Sequence, residues 1–240
     1  MPSPVFTIVI ACRNPGPRIH QCLGSLWDQT EASREIIVLD GASTDGTASW
    51  LEENRQRIDL LESGPDGGPY DAMNRGLARA TGEWVLFLGA DDRLSSPSVL
   101  SEAAARLRTS DADVAAGEAE YADGRRYPAA PTSHAVRRNF VHHQGTFYRR
   151  SRLARIAGFD TQFRIMADYD LNARLLRAGA IFRKLDLRVA VCSPGGMSDA
   201  GTWLGYREEI VVRHRHFPLL PCLLWDAGSV VRFLRKQIVR

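Results

Sequence analysis

Val5-Phe-Thr-Ile-Val-Ile-Ala11 is a continuous apolar and β-branched run, the pattern of a strand buried on both faces, and the residues next to it decide the fold. Asn14-Pro-Gly16 ends the run. Pro17 stands where a helix starts, and Ile19, Cys22, Leu23, Leu26 and Trp27 then recur at spacings of three and four, which makes one apolar helical face. The same unit repeats down the chain. Residues 35–39 read as a second strand, and Ser43-Thr-Asp-Gly-Thr47 supplies turn and cap chemistry before a helix over 48–57. Residues 58–62 and 83–88 read as further strands, and 70–80 and 97–108 as helices. Alternation at this spacing predicts an α/β fold: a Rossmann-like, open, mostly parallel sheet flanked by helices. Beyond residue 110 the rhythm loosens into strands over 113–121, 146–149 and 181–191, a helix over 168–178 and another over 203–217.

The 240 residues, 44% hydrophobic and 25% charged, suit one α/β domain, read here as 1–200, followed by a helical tail over 201–240. The tail is basic, with seven Lys/Arg against three Asp/Glu, whereas residues 1–200 carry 24 against 25. A near-neutral body argues against nucleic acid as a partner. Cys12, Cys22, Cys192 and Cys222 form no C-x-x-C pair and read as small buried hydrophobes in a reducing compartment. No basic-then-apolar leader and no run of about 18 apolar residues is present, so the expected location is cytoplasmic. Basic residues beside Leu and Trp in the tail suit peripheral contact with the inner face of a membrane, in competition with packing on the domain or an oligomer interface.

Open parallel sheets bind ligands beyond the carboxyl ends of their strands. There the sequence delivers Arg13, Asp40, the glycine-rich Gly64-Pro-Asp-Gly-Gly68 with Asp66, and Leu88-Gly-Ala-Asp-Asp92. Two adjacent carboxylates, Asp91 and Asp92, repel each other, and a hard divalent cation removes the conflict. Alone, an Asp-Asp pair is more often a solvated turn. Three carboxylate clusters on one rim point instead to a polar, metal-bearing ligand.

In order and spacing, Val-Phe-Thr-Ile-Val-Ile-Ala, Asp-Gly-Ala-Ser-Thr-Asp-Gly-Thr, Pro-Asp-Gly-Gly-Pro-Tyr-Asp-Ala-Met-Asn-Arg-Gly, Ala-Thr-Gly-Glu-Trp-Val-Leu-Phe-Leu-Gly-Ala-Asp-Asp and Ala-Asp-Tyr-Asp-Leu resemble the family 2 glycosyltransferases of GT-A fold, over roughly residues 4–200. The resemblance implies an inverting transfer of one sugar from a nucleotide-diphosphate sugar, UDP foremost, to a hydroxyl of a glycan or lipid-linked glycan in surface polysaccharide or glycoconjugate synthesis. It implies a nucleotide contact at Asp40, Mn²⁺ or Mg²⁺ held at Asp91 with Asp92 beside it, and donor framing by Arg13, Asp66, Asp71 and Asn74. It makes Asp168 the catalytic base, and it places His143 and Gln144 near the sugar and acceptor. Gly195-Gly-Met-Ser198 resembles a stretch that closes near the diphosphate. The chain contains no Q-x-x-R-W, so single addition is implied over processive synthesis.

The residues support this reading on their own terms as well. Asp168 opens a helix, where a carboxylate is stabilised in the charged form that a base requires; a plain N-cap is the alternative. His142-His143 has no third ligand at zinc spacing. No G-x-G-x-x-G stands after the first strand, which sets aside a dinucleotide oxidoreductase. Gly89, where D-x-D has its first Asp, and Ala167, where Glu is frequent, keep a non-catalytic nucleotide-sugar-binding module on the same fold as the competing reading.

Overall fold

In a computed structural model, which describes residues 4–31, 33–196 and 202–238, the opening run is strand β1 (Phe6–Cys12), buried at all but one position. Its side chains alternate across the sheet: Phe6, Ile8 and Ile10 enter one core cluster and Val9 the other. That is why the run is apolar throughout. The chain continues through α1 (Arg18–Trp27), β2 (Arg34–Asp40), α2 (Thr47–Glu53), β3 (Leu60–Ser63), α3 (Pro69–Arg79), β4 (Trp84–Gly89), β5 (Arg93–Leu94), α4 (Val99–Leu107), β6 (Val114–Tyr121) and β7 (Arg126–Tyr127). It ends with β8 (Thr146–Arg149), α5 (Arg150–Arg155), α6 (Ala167–Arg177), β9 (Phe182–Cys192), α7 (Trp203–His216) and α8 (Leu219–Ile238).

The strands form one sheet in the order β3-β2-β1-β4-β8-β6-β9-β5, with β7 paired to β6. Strands β1 to β4 are parallel, β8 runs against both β4 and β6, and β9 is parallel to β6. The expected mostly parallel sheet with helices on both faces is therefore present. Its register aligns Cys12 with Asp40, Asp40 with Ser63, and Ala11 with Gly89, so the carboxyl ends of β1 to β4 share one rim. Helix α3 lies tight on that block. A side chain at Gly76 would meet Val9 Cγ1 at 2.4 Å.

One departure from the sequence reading has a local cause. The helix expected over 48–57 stops at Glu53, because the Asn54 side chain donates to the Trp50 carbonyl at 2.9 Å and the chain tightens into a 3₁₀ turn, Arg55–Arg57. The tail is interrupted once, at Pro218, where α7 ends and α8 begins. Phe217 is extended before Pro218, as a residue preceding proline should be, and Pro221 falls in the first turn of α8, where its missing N–H costs nothing.

Helix α7 is bolted to α6 by a buried ion cluster. Asp170, fully buried, accepts from Arg174 Nε at 2.7 Å and pairs with His216 Nε2 at 2.7 Å. Burial pushes this carboxyl up, but the hydrogen bonds from His216 and Arg174 outweigh it and hold it below its usual 3.8. A depressed folded pKa means stability that is present above 3.8 and lost as pH falls through the lower folded value. Asp170→Ala is expected to cost about 3 kcal/mol in urea unfolding at neutral pH, since it strands the Arg174 guanidinium and the His216 ring that Asp170 holds. Below pH 3.8 the wild type should lose stability more steeply than the variant.

Candidate active site

The rim begins with a mesh of loops. Asn14 Oδ1 accepts from the Thr44 amide at 2.8 Å, Ser43 Oγ from the Asn14 amide at 2.8 Å, and Asp45 from the Gly16 amide at 2.7 Å. Asp40, only 2% exposed, accepts from Ser63 Oγ at 2.6 Å and from the Ser43 amide at 3.2 Å, so it ties β2 to β3 and to the following turn. Asp66 and Asp71 accept the Gly68 and Gly67 amides at 2.9 and 3.0 Å and so shape the glycine-rich loop. Asn74 spends its whole amide on Phe159, donating to its carbonyl and accepting from its N–H at 2.8 Å each. Arg13 is exposed at the end of β1.

The paired carboxylates after β4 have opposite environments. Asp92 is 3% exposed, and its two oxygens accept the Ser193 amide at 2.9 Å and Gln144 Nε2 at 3.0 Å. Burial pushes its carboxyl up, with the charge of Asp91 adding to it, against these two hydrogen bonds. Gly89 makes this placement feasible: a Cβ there would stand 2.4 Å from Asp92 Oδ2. Asp91 instead keeps a side chain 35% exposed, with Arg18 Nη1 at 3.7 Å. Among the described residues no group of three or more His, Cys, Asp or Glu is arranged to hold a metal. One open carboxylate still fits Mg²⁺ or Mn²⁺, which are commonly held by one or two carboxylates with substrate phosphates completing the shell.

Asp168 lies in the first turn of α6. Its Oδ2 accepts from Asn139 Nδ2 at 2.8 Å and faces His143 Nδ1 at 3.3 Å. The approach to it is clamped from the tail: the buried carboxylate of Glu208 on α7 takes the amides of Arg164, Ile165 and Met166 at 2.9, 2.8 and 3.0 Å. Tyr70 Oη adds a bond to the Ile165 carbonyl at 2.7 Å. The two halves meet at the 3₁₀ turn His143–Gly145, where His143 reaches Asp168 and the next residue, Gln144, reaches Asp92.

The structure thus joins Asp92, His143, Gln144 and Asp168 directly, with Asp91 adjoining, and sets Asp40, Asp66, Asp71 and Asn74 as braces of the rim. Met197 and Ser198 of the expected closing stretch lie outside the described residues. Sequence reasoning missed Asn139, Ser193 and Glu208. Of these only Glu208 carried a signal, an acidic pair with Glu209 inside a basic tail.

A fold and rim of this kind define a nucleotide-sugar-dependent glycosyltransferase architecture. The family model described as "Glycosyl transferase family 2" matches residues 7–180, and the chain belongs to that family. It is 33% identical over 236 residues to the PGL/p-HBAD biosynthesis glycosyltransferase of Mycobacterium bovis (strain BCG / Pasteur 1173P2), covering 90% of this chain and 92% of that one. Among solved structures, S. aureus TarS 1–349 aligns with a TM-score of 0.73 at 20% identity, over 96% of this chain and 73% of TarS 1–349. The chain spans 42% of the longer TarS structure. TarS 1–349 has also been solved with UDP-GlcNAc. The mannosyltransferase PcManGT from Pyrobaculum calidifontis, in complex with GDP-Man and Mn²⁺, aligns with a TM-score of 0.68 at 20% identity, over 97% of this chain and 70% of PcManGT. These likenesses show the GT-A fold.

The geometry at Gly89 makes a counter-intuitive prediction. Gly89→Asp, which restores a carboxylate at the first D-x-D position, is expected to weaken Mn²⁺-dependent nucleotide binding, because its Cβ displaces Asp92. Overpacking of this kind should also lower stability by about 1–3 kcal/mol, measurable by thermal melting alongside calorimetric titration.

Proposed function

We propose that the protein is an inverting, metal-assisted glycosyltransferase that moves a single sugar from a nucleotide-diphosphate donor to a hydroxyl of a glycan or lipid-linked acceptor. The observation that carries this reading is the turn His143–Gly145, which couples the carboxylate loop to the candidate base through consecutive side chains. The UDP-GlcNAc complex of TarS and the GDP-Man and Mn²⁺ complex of PcManGT support a nucleotide-sugar donor, and the first of them supports UDP. The relative named for PGL/p-HBAD biosynthesis supports a glycoconjugate acceptor.

Each side chain has a task in this scheme. Asp168 accepts the acceptor hydroxyl proton as that oxygen attacks the anomeric carbon from the face opposite the leaving diphosphate. His143 and Asn139 orient its carboxylate, and Glu208 fixes the loop that presents it, as a positioning residue. Asp91 holds the divalent cation, which when bound offsets the charge developing on the departing diphosphate. Asp92 positions that loop. Gln144 Oε1, buried and without a hydrogen-bond partner among the described residues, is left to accept from a donor-sugar hydroxyl. Asp40, Asp66 and Asp71 hold the backbone that frames the nucleotide, and exposed Arg13 borders it.

Thermal melting against UDP-, GDP- and dTDP-sugars, with and without Mn²⁺, should reveal at least one metal-dependent stabilisation; none with any donor would overturn the reading. Asp168→Asn should keep donor binding and reduce transfer by about 10³-fold, the usual contribution of a positioned base. Transfer left intact by that change would remove Asp168 from its role, and absence of transfer in the wild type under every donor would favour the binding module. Glu208→Gln should lower kcat with the donor KM unchanged, because it loosens the base without touching the nucleotide.

A further inference from the structure

The last helix shows water a face that none of the described residues covers. On α8 the exposed positions from 219 to 234 are apolar apart from Arg232: Leu220 is 82% exposed, Leu224 68% and Leu219 60%, with Leu223, Val231 and Leu234 between 47% and 53%. A folded protein rarely leaves so contiguous an apolar strip in solvent. The opposite side of α8 is fully committed. Arg213, 0% exposed, donates to Asp226 at 2.8 Å, to Glu209 at 2.9 Å and to Ser229 at 2.6 Å, which locks α8 against α7. The helix cannot roll to hide its leucines without breaking that cluster.

The charge around the strip has one sign. The acids of the two helices, Glu208, Glu209 and Asp226, all turn inward: Glu208 onto the 164–166 amides, Glu209 onto Arg213 and Arg232, and Asp226 onto Arg213 and His214. Arg235 stands outward, Arg232 keeps 41% of its side chain exposed while paired with Glu209, and Arg137 lies over the Trp225 ring at 4.9 Å. A symmetric pairing with a second copy would set this basic rim against itself. An anionic lipid surface satisfies both features, taking the leucines into its acyl boundary and the arginines among its headgroups. None of the described helices is long and apolar enough to cross a membrane.

We propose that α8 is an in-plane anchor that binds the protein to anionic lipid bilayers through its leucine strip and basic rim. The consequence for catalysis rests on the proposed transferase function. Helix α7, which α8 packs on, carries Glu208 against the loop before Asp168, so docking would tether that loop's support to the lipid surface. The docking itself does not depend on that function and needs no donor to be tested.

The test is co-sedimentation of the full chain with vesicles of phosphatidylcholine alone or mixed with phosphatidylglycerol. Binding is expected to the anionic vesicles, reduced by high salt, and weakened about fivefold by Arg235→Gln, the share of one basic residue near a charged surface. The double variant Leu220→Glu with Leu224→Glu should lose binding at least about tenfold. Circular dichroism and melting temperature report that the variant still folds. Three results would overturn the proposal: wild type that stays in the supernatant with anionic vesicles, binding untouched by the double variant, or a wild-type dimer that ignores vesicles and becomes a monomer in the variant.

Discussion

The site depends on one buried carboxylate pressed against a glycine. Asp92 occupies the space that any side chain at position 89 would need, and from there it draws in the Ser193 amide after β9 and the Gln144 amide before β8. A carboxylate in so dry a place is costly unless its oxygens are hydrogen-bonded, and here both are. The arrangement therefore holds three separate chain segments in one geometry. Once Asp92 is spent this way, its neighbour Asp91 is the group left facing solvent.

Much of the acidity on the rim is structural in the same sense. Asp40, Asp66 and Asp71 accept backbone amides or hydroxyls, and Glu208 collects three consecutive amides ahead of α6. Loops rich in glycine lose much conformational entropy when ordered, and multiple charge-assisted hydrogen bonds offset that loss. Preorganisation of this kind lets a site stabilise charge without rearranging at the moment of reaction. It also makes α7 part of the scaffold of the candidate site: α7 reaches the loop of Asp168 through Glu208 and anchors α6 through Asp170 and His216.

The strands and the apolar faces of the helices were legible because period and burial agree along β1, β2, β4 and α1. The strands at Arg93–Leu94 and Arg126–Tyr127 were not, since two residues carry no period and each exists only through its partner, β9 far along the chain for the first and β6 across a short turn for the second. Asp91 and Asp168 were readable as candidates from their neighbours in the motifs. That Asn74 would be consumed by Phe159, or that Asn139 would hold Asp168, could not be read, because these bonds span 85 and 29 residues.

By itself the sequence determined the βα alternation, the rim on which its carboxylates gather, and the residue types available to a metal and a nucleotide, all of which come from local period and from strand ends being chemically exposed. Only the tertiary structure decided which carboxylate is open and which is buried, which helix supports the loop of Asp168, and that the leucines of α8 face outward. Those outcomes turn on close approaches between segments far apart in the chain, such as Gly89 under Asp92 and Arg213 between Glu209 and Asp226. Distances of that kind are set by packing, and no pattern along one strand or helix encodes them.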